Sequence, residues 1–249
     1  MHRMRFGQGR RVALCVVALL WGGGSALAAE GGETEAGPWS ASAELGYVTT
    51  SGNTETETFN GKAGVGYEYK RWQHNARLDV LRASEDGDTT ADRTELRAKS
   101  RYFLAEYDYL FARLRYEDDR FSGYDYQASE ALGYGRRVIH QDDLSLDLEA
   151  GAGVRHRRLE GTSSREDDAM VLAGGSLAWA VSPTSEFTEE VTVEWTDDNT
   201  WAESVTALSV HINGNLAMKT SYTYRHNSDV PAGTDNTDTV TAVTLVFDY

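Results

Sequence analysis

From Trp39 onward the chain repeats one pattern. Stretches of about ten residues alternate apolar with polar side chains, separated by polar or glycine-rich breaks, which is the period of a β-strand with two unlike faces. Leu144, Leu146, Leu148, Ala150, Ala152 and Val154 alternate with Ser145, Asp147, Glu149, Gly151, Gly153 and Arg155. The last residues, "DTVTAVTLVFDY", repeat it: Thr239, Thr241, Val243, Leu245, Phe247 and Tyr249 share one parity and end on an aromatic ring. A soluble chain more often frays at this point.

The pattern predicts twelve segments, at 39–50, 57–70, 73–83, 93–104, 108–118, 126–139, 143–156, 169–181, 185–196, 201–212, 215–226 and 237–249. An even number suits a single-chain bacterial barrel. Every second connection is short: "RW", "AEY", "QDD", "SPT" and Asn213-Gly214. Those between are longer and polar: "TSGNTETE", "SEDGDTTAD", "RFSGYDY", "RRLEGTSSREDD", "DDNT" and "NSDVPAGTDN". Alternation alone also describes a soluble antiparallel sheet with one wet face. Sorting of short turns to one end and long loops to the other, with Tyr, Trp, Leu and Ala on nearly every apolar face, selects an all-β, antiparallel up-and-down transmembrane barrel over residues 39–249. One hairpin resists: a two-residue turn at Asn213-Gly214 puts Trp201, Val205 and Ala207 on the lipid side with Met218, Tyr222 and Tyr224. Leu208, Val210 and Ile212 then point inward, unless a bulge or an apolar lumen patch intervenes.

The amino terminus changes the compartment. Arg3, Arg5, Arg10 and Arg11 precede an apolar run, Val12 to Trp21, and Ala26-Leu27-Ala28 offers a small-x-small cleavage site. Residues 1–28 therefore read as a secretory signal cleaved near Ala28, its apolar run of about ten residues being too short to span a bilayer as a helix, followed by a short periplasmic segment at 29–38. The single cysteine, Cys15, falls inside that signal, so the mature chain forms no disulfide. Loss of four arginines moves the formal charge from -15 to -19. Such acidity argues against nucleic acid or anionic lipid as the main partner.

Two stretches carry a resemblance. Trp39 with "LGYVTTSGNTETET", including Ser51-Gly52-Asn53-Thr54, and "YRHNSDVPAGTDNTDT" from Tyr224 to Thr239 resemble the YdiY-like family of salt-induced outer-membrane proteins, a domain family of unknown function. The resemblance implies residence in the outer membrane of a Gram-negative bacterium and a link to salt or osmotic adaptation. It brings no catalytic residues with it. The partners expected of such a protein are outer-membrane lipids and lipopolysaccharide, with the barrel-assembly machinery and periplasmic chaperones during biogenesis. The terminal Phe247 and Tyr249 resemble the signal read by that machinery.

Candidate chemistry lies on the polar face. Segments four and five turn Arg93, Arg97, Lys99, Arg101, Arg113 and Arg115 to the lumen, and segments seven and nine turn Asp147, Glu149, Glu190 and Glu194 there. Opposed basic and acidic walls would impose a transverse field on polar solutes in a small charged pore. The same charges would equally fill a plugged interior as ion pairs. The glycine pairs Gly64/Gly66, Gly133/Gly135 and Gly151/Gly153 precede no helix, so they read as relief for curvature and for the arginines, not as phosphate loops. His226 and Ser228 share the parity of Tyr224 and offer a lipid-facing His-x-Ser pair, similar to outer-membrane lipid hydrolases. Asp229, Val230 and Pro231 depart from that pattern, no orienting acid is identifiable, and a turn-rich loop explains the residues as well. His74, His140, His156, His211 and His226 lack ligand spacing, and neither "EDGDTTAD" nor "REDD" fits a calcium loop, so no metal or other cofactor is expected.

Overall fold

A computed structural model describes residues 38–50, 56–161 and 165–249. The proposed signal, most of the segment at 29–38 and Ser51–Thr54 of the first end motif lie outside the described residues. The described chain forms β1 (Trp39–Thr50), β2 (Thr56–Tyr69), β3 (Trp72–Glu85), β4 (Asp88–Phe103), β5 (Asp108–Asp119) and β6 (Tyr124–His140). It continues with β7 (Leu144–Leu159), β8 (Arg165–Ser182), β9 (Ser185–Trp195), β10 (Thr200–His211), β11 (Leu216–Asn227) and β12 (Thr237–Asp248). Each strand pairs antiparallel with its sequence neighbours, and β1 pairs with β12, so the sheet closes into a twelve-stranded up-and-down barrel.

Closure removes both edges that an open sheet would present. Ala43 faces Phe247 and Leu45 faces Leu245, and Tyr249 completes the join by exchanging backbone hydrogen bonds with Ala41 at 2.8 Å each way. The alternation sorts side chains as a barrel requires. Leu96, Leu114, Leu132, Val171, Met218, Val243 and Phe247 are exposed on the outer wall, while Glu95, Arg115, Arg155, Glu194 and Glu203 are buried in the lumen. The protein's packed interior is thus the lumen.

Both ends of the described barrel, at Trp39 and Tyr249, lie at one rim with the connections at 70–71, 104–107, 141–143, 183–184 and 212–215. The opposite, loop-end rim departs from the sequence reading. Most of "SEDGDTTAD" and of "RRLEGTSSREDD" is strand, so β3, β4, β7 and β8 run well past the predicted ends. The first of these connections narrows to Asp86-Gly87, with φ of 50° and 86°, the left-handed pair a two-residue hairpin demands. The cause is a change of solvent. Past the membrane both faces meet water, both turn polar, and the alternation fades although the hydrogen-bond ladder continues.

The β10–β11 hairpin also corrects its expected register. His211 pairs with Ala217 and Val210 with Met218, so the connection holds Asn213, Gly214 and Asn215 rather than two residues. The Asn213 Oδ1 accepts from the backbone N–H of Asn215 and of Leu216, both at 3.1 Å, which makes the third residue an ordered part of the turn. One added residue inverts the facing of β10. Trp201 and Ala207 are buried inside, while Leu208 and Ile212 join the lipid-side wall.

Candidate functional site

The lumen is organised around β4, β5, β10 and β11, whose inward positions bring together three arginines and three glutamates. Arg225 donates to Glu95 at 2.5 Å, to Glu117 at 2.7 Å and to Glu203 at 2.6 Å. Arg97 donates to Glu95 at 2.6 Å and to Glu203 at 2.8 Å. Arg115 donates to Glu95 at 2.7 Å and Glu117 at 2.8 Å, and its guanidinium lies 4.0 Å from the centre of the Trp201 ring. Equal numbers of opposite charges let the whole group be buried, since a lone ion there would pay a desolvation penalty no neighbour offsets. A second pair, Arg155 to Glu194 at 2.9 Å with Ser129 donating to the same carboxylate, links β6, β7 and β9 at the lattice's flank.

Beside these charges the lumen is apolar. Tyr109, Phe111, Ala131, Met170 and Leu172 form a buried cluster against which Phe103 packs. Gly133, Gly135 and Gly151 make room for these rings rather than for the arginines the sequence suggested, while Gly64 and Gly66 face Ser42 and Ser40. A Cβ at Gly133 would meet the Phe111 ring at 2.5 Å, and one at Gly135 would meet the Tyr109 ring at 2.3 Å.

On the terminus side of the lattice, with Arg97 shared by both, lies a cavity of about 230 Å³. Arg77, Lys99, Arg101 and Arg113 line it with Glu149, Glu190 and Thr192. The two charged walls foreseen in the sequence are here in contact instead of facing each other across open lumen. Lys99 reaches Glu149 at 2.5 Å, and Arg101 reaches Glu149 at 3.3 Å and Asp147 at 3.5 Å. Arg137 also holds Asp147, at 2.8 Å. Arg113 instead crosses to Thr192 at 3.3 Å. Arg93 lines a smaller void with Lys62, Arg77 and Asp79.

The lattice contains residues that reading the sequence passed over. Glu95 and Glu117 sit within the wall taken as basic. Arg225 alternates with the lipid-facing Tyr222 and Tyr224, a parity that already pointed it inward. Glu203 was hidden by the turn length at Asn213–Asn215, which set its face. The His226/Ser228 pair is not assembled: His226 Nδ1 lies 3.0 Å from Thr237 Oγ1 on β12, while the Ser228 hydroxyl accepts from the Thr200 backbone N–H at 2.8 Å on β10. Each side chain serves the strand on its own side as a loop anchor, and the lipid hydrolase reading is dropped.

Solved structures share this architecture. The chain aligns with the NanC porin with a TM-score of 0.51 at 11% identity, covering 84% of this chain and 97% of that one. It aligns with the COG4313 outer membrane channel from Pseudomonas putida F1 with a TM-score of 0.53 at 14% identity, covering 89% of this chain and all of that one. At such identities the likeness is one of fold. In sequence it is 27% identical over 211 residues to the uncharacterized protein YdiY of Escherichia coli strain K12, spanning 84% of this chain and 83% of that protein. Residues 43–249 match the family described as "Protein of unknown function, DUF481", and the chain belongs to that family.

Proposed function

We propose that this protein is a porin-like channel of the Gram-negative outer membrane, carrying small polar solutes through a lumen whose restriction is the Arg97–Arg115–Arg225 lattice. One observation carries the reading: a buried, charge-balanced lattice stands directly against a cavity of about 230 Å³, room for several waters, rich in cationic side chains. A purely structural core gains nothing from keeping such a cavity polar, whereas a solute route uses charge to select and packing to restrict. The lattice is held by side chains alone, so rotamer changes would open it without breaking the wall. The salt-linked role implied by the family resemblance fits a restriction made of ion pairs, with solutes crossing during osmotic adaptation.

The setting follows from the same reading. Lipids and lipopolysaccharide surround the outer wall, and cleavage near Ala28 delivers the chain to the periplasm, where chaperones and the barrel-assembly machinery receive it. Phe247, exposed on the outer wall, and Tyr249, paired through its backbone with Ala41, serve as the terminal assembly signal. Deleting Tyr249 lowers the folded, membrane-embedded yield on this account.

Conductance in planar bilayers tests the channel. The folded wild-type barrel is expected to pass rare, small currents, and Glu203→Gln, which removes one carboxylate from Arg97 and Arg225, to raise open probability about ten-fold. Silence from both folded proteins would overturn the proposal in favour of a permanently filled barrel.

A further inference from the structure

The lumen meets one local problem twice and answers it differently. β4 and β5 set like charges side by side in register: Arg97 against Arg115 and, one step toward the terminus rim, Lys99 against Arg113. Like charges directly opposite each other on one face of a sheet repel. Between Arg97 and Arg115 a carboxylate settles the conflict, since one Glu95 oxygen accepts from Arg97 at 2.6 Å and from Arg115 at 2.7 Å. Among the described residues no carboxylate bridges Lys99 and Arg113. Lys99 turns to Glu149 at 2.5 Å, and Arg113 holds the Thr192 hydroxyl at 3.3 Å without meeting a described carboxylate at ion-pairing distance.

This second pair lines the cavity of about 230 Å³. A water's share of liquid volume is about 30 Å³, so the space admits a small organic molecule. Its cations are positioned in advance: the Lys99 ammonium lies 5.4 Å from the centre of the Phe111 ring, and the Arg101 guanidinium 4.9 Å from that of Tyr109. The Arg101 Nε is buried with no hydrogen-bond partner among the described residues. Charge is left over as well. Outside the balanced lattice, Lys62, Arg77, Lys99, Arg101, Arg113 and Arg137 share Asp79, Asp147, Glu149 and Glu190, an excess of two positive charges. Glu190 is inward on β9, nearer the terminus rim than the buried Thr192 and Glu194, and is exposed, so water reaches the cavity from that end. On the loop-end side of the lattice, Glu117, Asp119, Asp235 and Asp238 line the lumen and repel anions.

We propose that this cavity binds a small organic dicarboxylate, reached from the terminus rim. One carboxylate lies between Lys99 and Arg113 as Glu95 lies between Arg97 and Arg115, and the second offsets the charge left at Arg77 and Arg101. Charge-assisted hydrogen bonds from ammonium and guanidinium groups are the strong ones available to such a ligand. Asn75 and Ser176, also on the lining, offer neutral polar groups to its body. A neutral molecule of the same shape leaves the positive excess unmatched, so charge as well as size sets the selection. The inference rests on the channel reading for the solute's passage and names the class of solute that the lumen holds on the way.

The test is calorimetric titration of the folded barrel in lipid nanodiscs with succinate, its neutral isostere succinamide and inorganic phosphate, folding being checked by heat-modifiable gel mobility. Succinate is expected to bind, with succinamide and phosphate weaker by about ten-fold or more. Arg113→Gln should weaken succinate by about ten-fold, Arg113→Lys by less, and Arg158→Gln, outside the lumen, should leave it unchanged. Succinate bound no tighter than succinamide, phosphate bound as well as succinate, or an Arg113→Gln barrel that binds succinate like the wild type would each overturn the proposal. Should Arg113→Gln fail to fold, the wild-type ranking of the three probes decides alone. Titration requires no conduction, so the two readings fail separately: succinate binding without current removes the channel and keeps the site, whereas current without succinate binding removes the site alone.

Discussion

Two ion pairs of equal length mark opposite extremes of this barrel. Arg225 meets Glu117 at 2.7 Å with side-chain exposures of 11% and 6%, deep in the lumen. Arg158 meets Asp125 at the same 2.7 Å with exposures of 48% and 30%, on the outside of the loop-end rim. Distance does not distinguish them; surroundings do. At the rim, water competes for each charge and salt screens the remainder, so the pair adds little. In the lumen, removing one partner leaves the others charged and desolvated. Among the described residues Arg225 has three carboxylate partners and Arg158 has one, so a deletion in the lattice propagates where a deletion at the rim stays local.

The strongest way to break the comparison is Arg225→Met. It leaves Glu95, Glu117 and Glu203 hydrogen-bonded to Arg97 and Arg115 alone among the lattice arginines, and chemical denaturation should show a loss of about 3–5 kcal/mol. A loss no larger than that at the rim would mean that water enters the lattice freely. Next in size is Trp201→Leu, which keeps an apolar side chain but removes the ring beneath the Arg115 guanidinium. A desolvated cation–π contact of this kind contributes about 2 kcal/mol, measured in the same unfolding assay. Smallest is Arg158→Ala, for which the change should stay below about 1 kcal/mol. Salt sharpens the contrast: raising it from 0.1 M to 1 M shortens the screening length from about 10 Å to about 3 Å, which should erase the Arg158 effect and leave the Arg225 effect nearly unchanged.

The fold was legible where two solvents meet across the sheet. In β7, from Leu144 to Val154, lipid lies on one side and a polar lumen on the other, and the sequence alternates cleanly. It was illegible where that asymmetry ends. Arg165, Glu166, Asp167 and Asp168 lie in a strand but read as loop, because the strand has water on both faces there. The lattice was half legible. Single-strand parity sent Arg97 and Arg115 inward, yet the lattice members Glu203 and Arg225 lie far away in sequence, with 106 positions separating Arg97 from Glu203 and 130 separating Arg225 from Glu95. Which carboxylate meets which arginine depends on the stagger of the closed ring, a property of twelve registers together. Glu203 needed one further fact, that Asn213 caps a three-residue turn, and a local side-chain hydrogen bond of that kind leaves no periodic trace.

The join between the two terminal strands also sets a clock. Ala41 meets Tyr249 and Ser42 meets Asp248, so the contacts that complete the barrel link residues almost the full described length apart. Contacts of such sequence separation form slowly, because chain entropy must be spent before they return anything. Successive hairpins from β2 to β11 can zip as they emerge, but the ring stays an open ribbon with two bare edges until the final residue arrives. Any delay in delivering the last strand therefore prolongs the interval in which a neighbouring chain can be captured at those edges.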